Sequence, residues 1–173
     1  MGDKFDWGEH SIEPIFLAGG DSHPGIYSAE SFCTAIATAH YENFLIANKF
    51  TPANIRQHIE NIYAFCRYGD DLGDDAPFSN QERLLLLDAW ELDLEEAARD
   101  DWSGNPRHPI LVAIQRTSKK FSIPVETYWK LIQAFKMDQV KTRYKNWDEL
   151  NEYCAFSADP VGHLFLYVYG HDD

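Results

Sequence analysis

The chain has 173 residues, 45% hydrophobic and 14% aromatic, with a formal net charge of −13. That length and composition suit one globular domain with a real core, not a disordered chain. The acidic balance argues against nucleic-acid binding and against electrostatic docking on anionic lipid, and it means that an anionic ligand would need bridging cations.

Residues 1–28 read as an irregular arm, punctuated by Pro14, Gly19, Gly20, Pro24 and Gly25. The opening MGDKFDWGEH lacks an apolar core segment, so no secretory signal is expected. Residues 29–173 read as one helical region. Ser28 suits an N-cap, and a helix is predicted from about Ala29 into His40-Tyr41-Glu42-Asn43-Phe44. His40 and Asn43 stand three apart, hence on one face. Taken alone, His40 reads as a hydrogen-bonded core histidine.

The stretch from Thr51 to Asp75 reads as an amphipathic helix that ends in acids. Thr51 suits the N-cap and Pro52 the first helical position. Ile55, Ile59, Ile62, Cys66 and Gly69 step by four and three along one stripe. At about 100° per residue, Tyr63, Arg67, Asp70, Asp71 and Asp74 gather beside that stripe. Asp is a weak helix former and like charges four apart repel, so this run weakens its own helix. Asp70 and Asp74 place two carboxylates on consecutive turns, and hard divalent cations such as Mg²⁺ take such oxygens together with substrate phosphates. Arg67 is a natural phosphate partner. The plainer reading of the acidic run is a solvated helix end.

Ser79 and Glu82 form a capping box for a helix from Gln81 to about Asp100, with Leu84, Leu87, Trp90, Leu94 and Ala97 on its inner side. Its acidic face, from Asp88 to Glu96, reads as solvated. Helices are also predicted for Pro109–Phe121 and Val125–Val140. Lys141, Arg143 and Tyr144 follow the latter, and either face an anionic ligand or cap helix carbonyls. Asn146 caps the last helix, with Tyr153 and Ser157 on one face and a kink at Pro160. Ala158 and Gly162 are small enough to admit another helix or a ligand tail. Cys33, Cys66 and Cys154 show no metal or redox spacing and read as reduced thiols of a cytoplasmic protein. The apolar runs Leu84–Leu87 and Leu164–Tyr169 are too short to span a bilayer. With no strand pattern, the expected class is all-α, with roughly six helices.

Three segments together resemble the squalene/phytoene synthase family over about residues 29–170. Tyr63 to Asp74, YAFCRYGDDLGD, resembles the family's first aspartate-rich DxxxD motif. His40 to Phe44 stands where these enzymes open their substrate pocket. Tyr153 to Gly162, YCAFSADPVG, resembles the central YC…VG helix. The HYENF and DPVG forms, with Lys141-Thr142-Arg143-Tyr144, look most like bacterial hydroxysqualene synthases.

The resemblance implies an isoprenoid-synthase-like helical domain, incomplete at its C-terminus because the family's second aspartate-rich motif would follow Gly162. It implies Mg²⁺ at Asp70, Asp71 and Asp74, and catalytic roles for Asp70, Asp74 and Tyr153. Substrate contacts would come from His40, Asn43, Phe44, Tyr63, Arg67, Arg143, Ala158 and Gly162. The implied ligand is a prenyl diphosphate, presqualene or farnesyl diphosphate, and the implied product hydroxysqualene. Head-to-head condensation to squalene or phytoene, and a non-catalytic remnant or binding module, are the alternatives. Peripheral membrane contact, and a C-terminal half or partner synthase subunit, are further expectations. With no nucleotide-binding glycine motif, no NADPH step is expected in this chain.

Overall fold

The computed structural model describes residues 24–39, 51–74 and 77–171. Among the described residues every element is a helix: α1 Ile26–Ala39, α2 Ala53–Asp74, α3 Asn80–Trp102, α4 Pro109–Phe121, α5 Val125–Asp138, α6 Trp147–Ser157 and α7 Asp159–Tyr169. The all-α class expected from the sequence is the observed one.

Helix α2 is the axis of the fold, touching α1, α3, α4, α5 and α7. It is therefore buried beyond its predicted stripe. Ile55, Ile59, Ile62, Phe65 and Leu72 are enclosed, and so are the polar His58, Asn61 and Asp71. The centre of the core is aromatic. Phe65 packs against Trp90 at 5.5 Å and edge-on against Tyr128 at 5.1 Å between ring centroids. Tyr128 Oη accepts a hydrogen bond from Ser118 Oγ at 3.1 Å. Tyr128→Phe keeps the volume but removes that acceptor, so a loss of about 1 kcal/mol in urea denaturation is expected.

Buried polar groups on α2 are joined to α4. Asn61 Nδ2 donates to Thr117 Oγ1 (3.0 Å) and to the Ala113 carbonyl (3.3 Å), and Thr117 Oγ1 itself donates to that carbonyl at 3.1 Å. His58 Nδ1 lies 3.0 Å from Thr117 Oγ1, and His58 Nε2 lies 3.0 Å from Lys120 Nζ. An ammonium has only protons to offer, so Nε2 accepts and the Nδ1–H donates to Thr117.

Several boundaries differ from those predicted, each for a local reason. Helix α1 begins at Ile26, with the Ala29 N–H bonded to the Gly25 carbonyl, so Ser28 lies inside the helix instead of capping it. The Ser79/Glu82 capping box is present as expected. Near its end α3 leaves helical geometry at Arg99, and Asp100, Asp101 and Trp102 have φ of 50°, 57° and 59°. Non-glycine residues rarely adopt such angles. Here Trp102 is buried and its Nε1 donates to the Ile123 carbonyl at 3.0 Å.

The acidic face of α3 is not simply solvated. Asp93 accepts the backbone N–H groups of Arg107 and His108 at the start of α4. Glu91 accepts from Trp129, Gln133 and Lys136 of α5. Pro160 does not kink a continuous helix. The chain breaks at Ala158, and Pro160 occupies the first turn of α7, where its missing N–H costs nothing.

Candidate active site

The acid-bearing end of α2 borders an apolar cavity of about 420 Å³. Ile62, Tyr63, Cys66, Arg67 and Asp70 of α2 form one wall. Leu131, Ala134, Phe135 and Asp138 of α5 form a second, and Tyr153, Ser157, Val161 and Phe165 of α6 and α7 form the third. Helices α2 and α5 approach closely at glycines. A Cβ at Gly69 would collide with the Phe135 ring, and one at Gly73 would lie 3.2 Å from Gln139 Nε2. Gly69→Ala should therefore push Phe135 into the cavity and cost about 1–3 kcal/mol, read by urea denaturation.

The three described aspartates differ in setting. The Asp70 side chain is 53% exposed and that of Asp71 only 2%; Asp74 is exposed. Asp71 is clasped by Arg67, whose Nε donates to Asp71 Oδ2 at 3.1 Å while a terminal guanidinium nitrogen pairs with Oδ1. The same guanidinium lies 3.7 Å from Asp70 Oδ2. The acidic face thus has an inner member that fixes Arg67 and exposed outer members, Asp70, which lines the cavity, and Asp74. Among the described residues no three His, Cys, Asp or Glu side chains converge on one metal position.

Burial, above all, shifts the titratable groups of the cavity. It raises the Tyr63 hydroxyl, partly offset by Arg67, and pushes the Cys66 thiol up to about 12 with help from the Asp70 charge. Tyr153 Oη donates to Asp138 Oδ2 at 2.9 Å. Burial raises Tyr153, and the Asp138 hydrogen bond and charge raise it further. Asp138 is itself raised, first by burial, with the Asp74 charge adding and the Tyr153 bond opposing. The Asp74 charge on α2 therefore reaches Asp138 on α5.

The structure brings Tyr63, Arg67, Asp70 and Tyr153 to one cavity; Asp74 is exposed one turn beyond Asp70 and is not part of its lining. His40, Asn43 and Phe44 lie outside the described residues. Arg143 is exposed and does not line the cavity. Its neighbour Lys141 pairs with Glu149 at 2.7 Å and lies over the Tyr144 ring. Ala158 and Gly162 are exposed, and a Cβ at Gly162 would meet nothing within 4 Å. Among the described residues no helix makes the close approach that their small size suggests; Ser157, Val161 and Phe165 face the cavity instead. Sequence reasoning missed Asp138. Its signal was present, because Leu131, Phe135 and Asp138 continue one stripe at steps of four and three.

An all-helical fold that sets exposed carboxylates at the rim of an apolar cavity is the architecture of an isoprenoid-synthase-like protein. The squalene/phytoene synthase family model matches residues 37–173, and the chain belongs to that family. It is 33% identical over 138 residues to a phytoene synthase of Arthrospira platensis, covering 80% of this chain and 43% of that one. It is 35% identical over 129 residues to a hydroxysqualene synthase of Sinorhizobium fredii, covering 75% and 42%. The crystal structure of squalene synthase HpnC from Alicyclobacillus acidocaldarius superposes with a TM-score of 0.76 at 37% identity, covering 86% of this chain and 54% of that one. The chain thus spans less than half the length of these two curated relatives. No described helix is long and apolar enough to cross a membrane.

Proposed function

We propose that the acidic face of α2 and the cavity beside it form the diphosphate-ionising part of a hydroxysqualene-forming site in squalene and hopanoid biosynthesis, completed by a C-terminal half or partner subunit. The observation that carries this reading is the meeting of Arg67 and Asp70 with Tyr153 around an apolar cavity. Asp70 and Asp74 fit Mg²⁺: both are open oxygen donors on consecutive turns, and Mg²⁺ is commonly held by one or two carboxylates plus substrate phosphates. Bound there, the ion would supply charge neutralisation for a departing diphosphate. Asp71, enclosed and paired, serves in this reading to hold Arg67.

Arg67 has guanidinium donors to share with diphosphate oxygens. Tyr63 bounds the cavity beside it. His40, Asn43 and Phe44 would add contacts to diphosphate and hydrocarbon. The C–O bond of presqualene diphosphate breaks, leaving diphosphate and a cyclopropylcarbinyl cation. The apolar walls shield that cation from early water, and the Tyr153 ring steadies it. Controlled capture by one water gives hydroxysqualene and a proton. The setting is cytoplasmic, with peripheral membrane contact for the long-chain alcohol product.

Head-to-head condensation of prenyl diphosphates is the second reading, favoured by phytoene synthase relatives at comparable identity. A non-catalytic binding module is the third; among the described residues no three His, Cys, Asp or Glu side chains converge on one metal position. Mg²⁺-dependent turnover of presqualene and farnesyl diphosphates by the purified chain, with extracted products identified, separates the three. An alcohol supports the proposal and a hydrocarbon the second reading. No product, even with a relative's C-terminal half supplied, supports the third.

A further inference from the structure

Tyr153 has one hydroxyl proton, and Asp138 holds it. The Oη to Oδ2 distance is 2.9 Å, and both residues line the cavity. A neutral phenol donates once; its oxygen can otherwise only accept. While the pair is intact, Tyr153 has no proton for a departing diphosphate.

The pair also locks the ring. It joins α5 to α6, and the Tyr144 ring lies against the Tyr153 ring at 5.1 Å between centroids, tilted by 38°. A hydrogen bond to a carboxylate is strengthened by the acceptor's charge. It draws the phenol proton away from the oxygen and leaves the oxygen and ring richer in electrons. That is the state that best faces a positive centre.

We propose that Asp138 is a positioning residue: by taking the Tyr153 proton in a hydrogen bond, it holds Tyr153 in the cavity as an acceptor and electron-rich ring toward the reacting carbon skeleton, not as a donor to the leaving diphosphate. This rests on the activity proposed above for the same cavity. It assigns a role to a residue of α5 that neither the acidic motif nor the YC…VG segment contains. It also divides the labour within the cavity. Leaving-group charge would fall to Arg67 and to a cation held by Asp70 and Asp74, and positive charge on carbon falls to the Asp138–Tyr153 pair.

The test compares Asp138→Ala, Asp138→Asn, Tyr153→Phe and the Asp138→Ala/Tyr153→Phe double variant in the full chain. With a turning-over enzyme, Asp138→Ala and Tyr153→Phe should each lower kcat about 10- to 100-fold with little change in KM. The double variant should be no worse than the more damaging single one, because both remove one interaction. Asp138→Asn, whose amide oxygen still accepts from the phenol, should recover most of the rate. Multiplying losses, or a raised Mg²⁺ requirement in Asp138→Ala alone, would overturn the proposal.

A second measurement needs no turnover. The ¹³Cζ resonance of Tyr153 reports phenol donation, so Asp138→Ala should move it toward the free-phenol position. In the parent chain, added Mg²⁺ and unreactive farnesyl thiodiphosphate should leave the donation to Asp138 in place. A resonance insensitive to Asp138→Ala, or one that shows the proton passing to the diphosphate, would sink the pairing. An Asp138-dependent resonance in a chain without turnover would count against the activity and leave the pairing standing.

Discussion

Asparagine at both Asp70 and Asp74 should abolish Mg²⁺-dependent diphosphate binding and lower any turnover by about 10³-fold or more, while the chain stays folded. Metal neutralisation of transition-state charge amounts to several kcal/mol, and each 1.4 kcal/mol is about tenfold. Both residues are exposed, and Asn keeps their size, so folding has little to lose. Removing two like charges four residues apart even relieves local repulsion. Asp71→Asn should behave in the opposite way. Its carboxylate is buried against Arg67, and removing the charge takes the bidentate partner from a guanidinium that is only 19% exposed, leaving Asp70 at 3.7 Å. Breaking such a pair costs about 3 kcal/mol or more. Calorimetric titration of Mg²⁺ with diphosphate, beside urea unfolding of each variant, separates the two roles. Unchanged Mg²⁺-dependent binding in the double variant would remove Asp70 and Asp74 from the metal proposal.

What could be read from the sequence depended on whether one helix carried the signal. Tyr63, Arg67 and Asp70 share a face of α2 by spacing alone, and the structure puts that face on the cavity. Asn146 accepts the Glu149 N–H as its position suggested. Signals split between helices were hidden. The stripe of Leu131, Phe135 and Asp138 marks the face of α5, but not the pairing of Asp138 with Tyr153, which reaches it from α6. The acids of α3 looked like solvated charge because the donors that use them, Arg107, His108 and Lys136, belong to α4 and α5. The break at Ala158 turned Gly162 outward and brought Val161 and Phe165 onto the cavity instead.

Two enclosed histidines should make the fold lose stability as pH falls below about 6.5. Burial lowers His58 to about 4, with Lys120 and then Arg116 adding to the effect, and burial lowers His108 to about 3. The packing explains both. His58 Nε2 already faces the Lys120 ammonium, and the ring lies edge-on to Phe121 at 4.9 Å. His108 Nδ1 accepts the Ile110 N–H that starts α4, and Tyr68 and Trp90 stand against the ring at 4.5 and 4.8 Å. In the unfolded chain both rings protonate near 6.5, so the unfolded state binds more protons below that pH. Stability is therefore fully present above 6.5 and falls as pH drops toward about 4 for His58 and about 3 for His108. Each pKa unit is worth about 1.4 kcal/mol, so the full loss is several kcal/mol, a large share of the 5–15 kcal/mol typical of a domain. Burial raises Asp93 and Asp138, and raised carboxyls act in the opposite sense, gaining stability as pH falls. Urea unfolding between pH 7.5 and 5 should show the decline, and His58→Gln should shallow its slope while lowering stability at pH 7.5. A flat or rising profile across that interval would mean that neither histidine is held neutral by the fold.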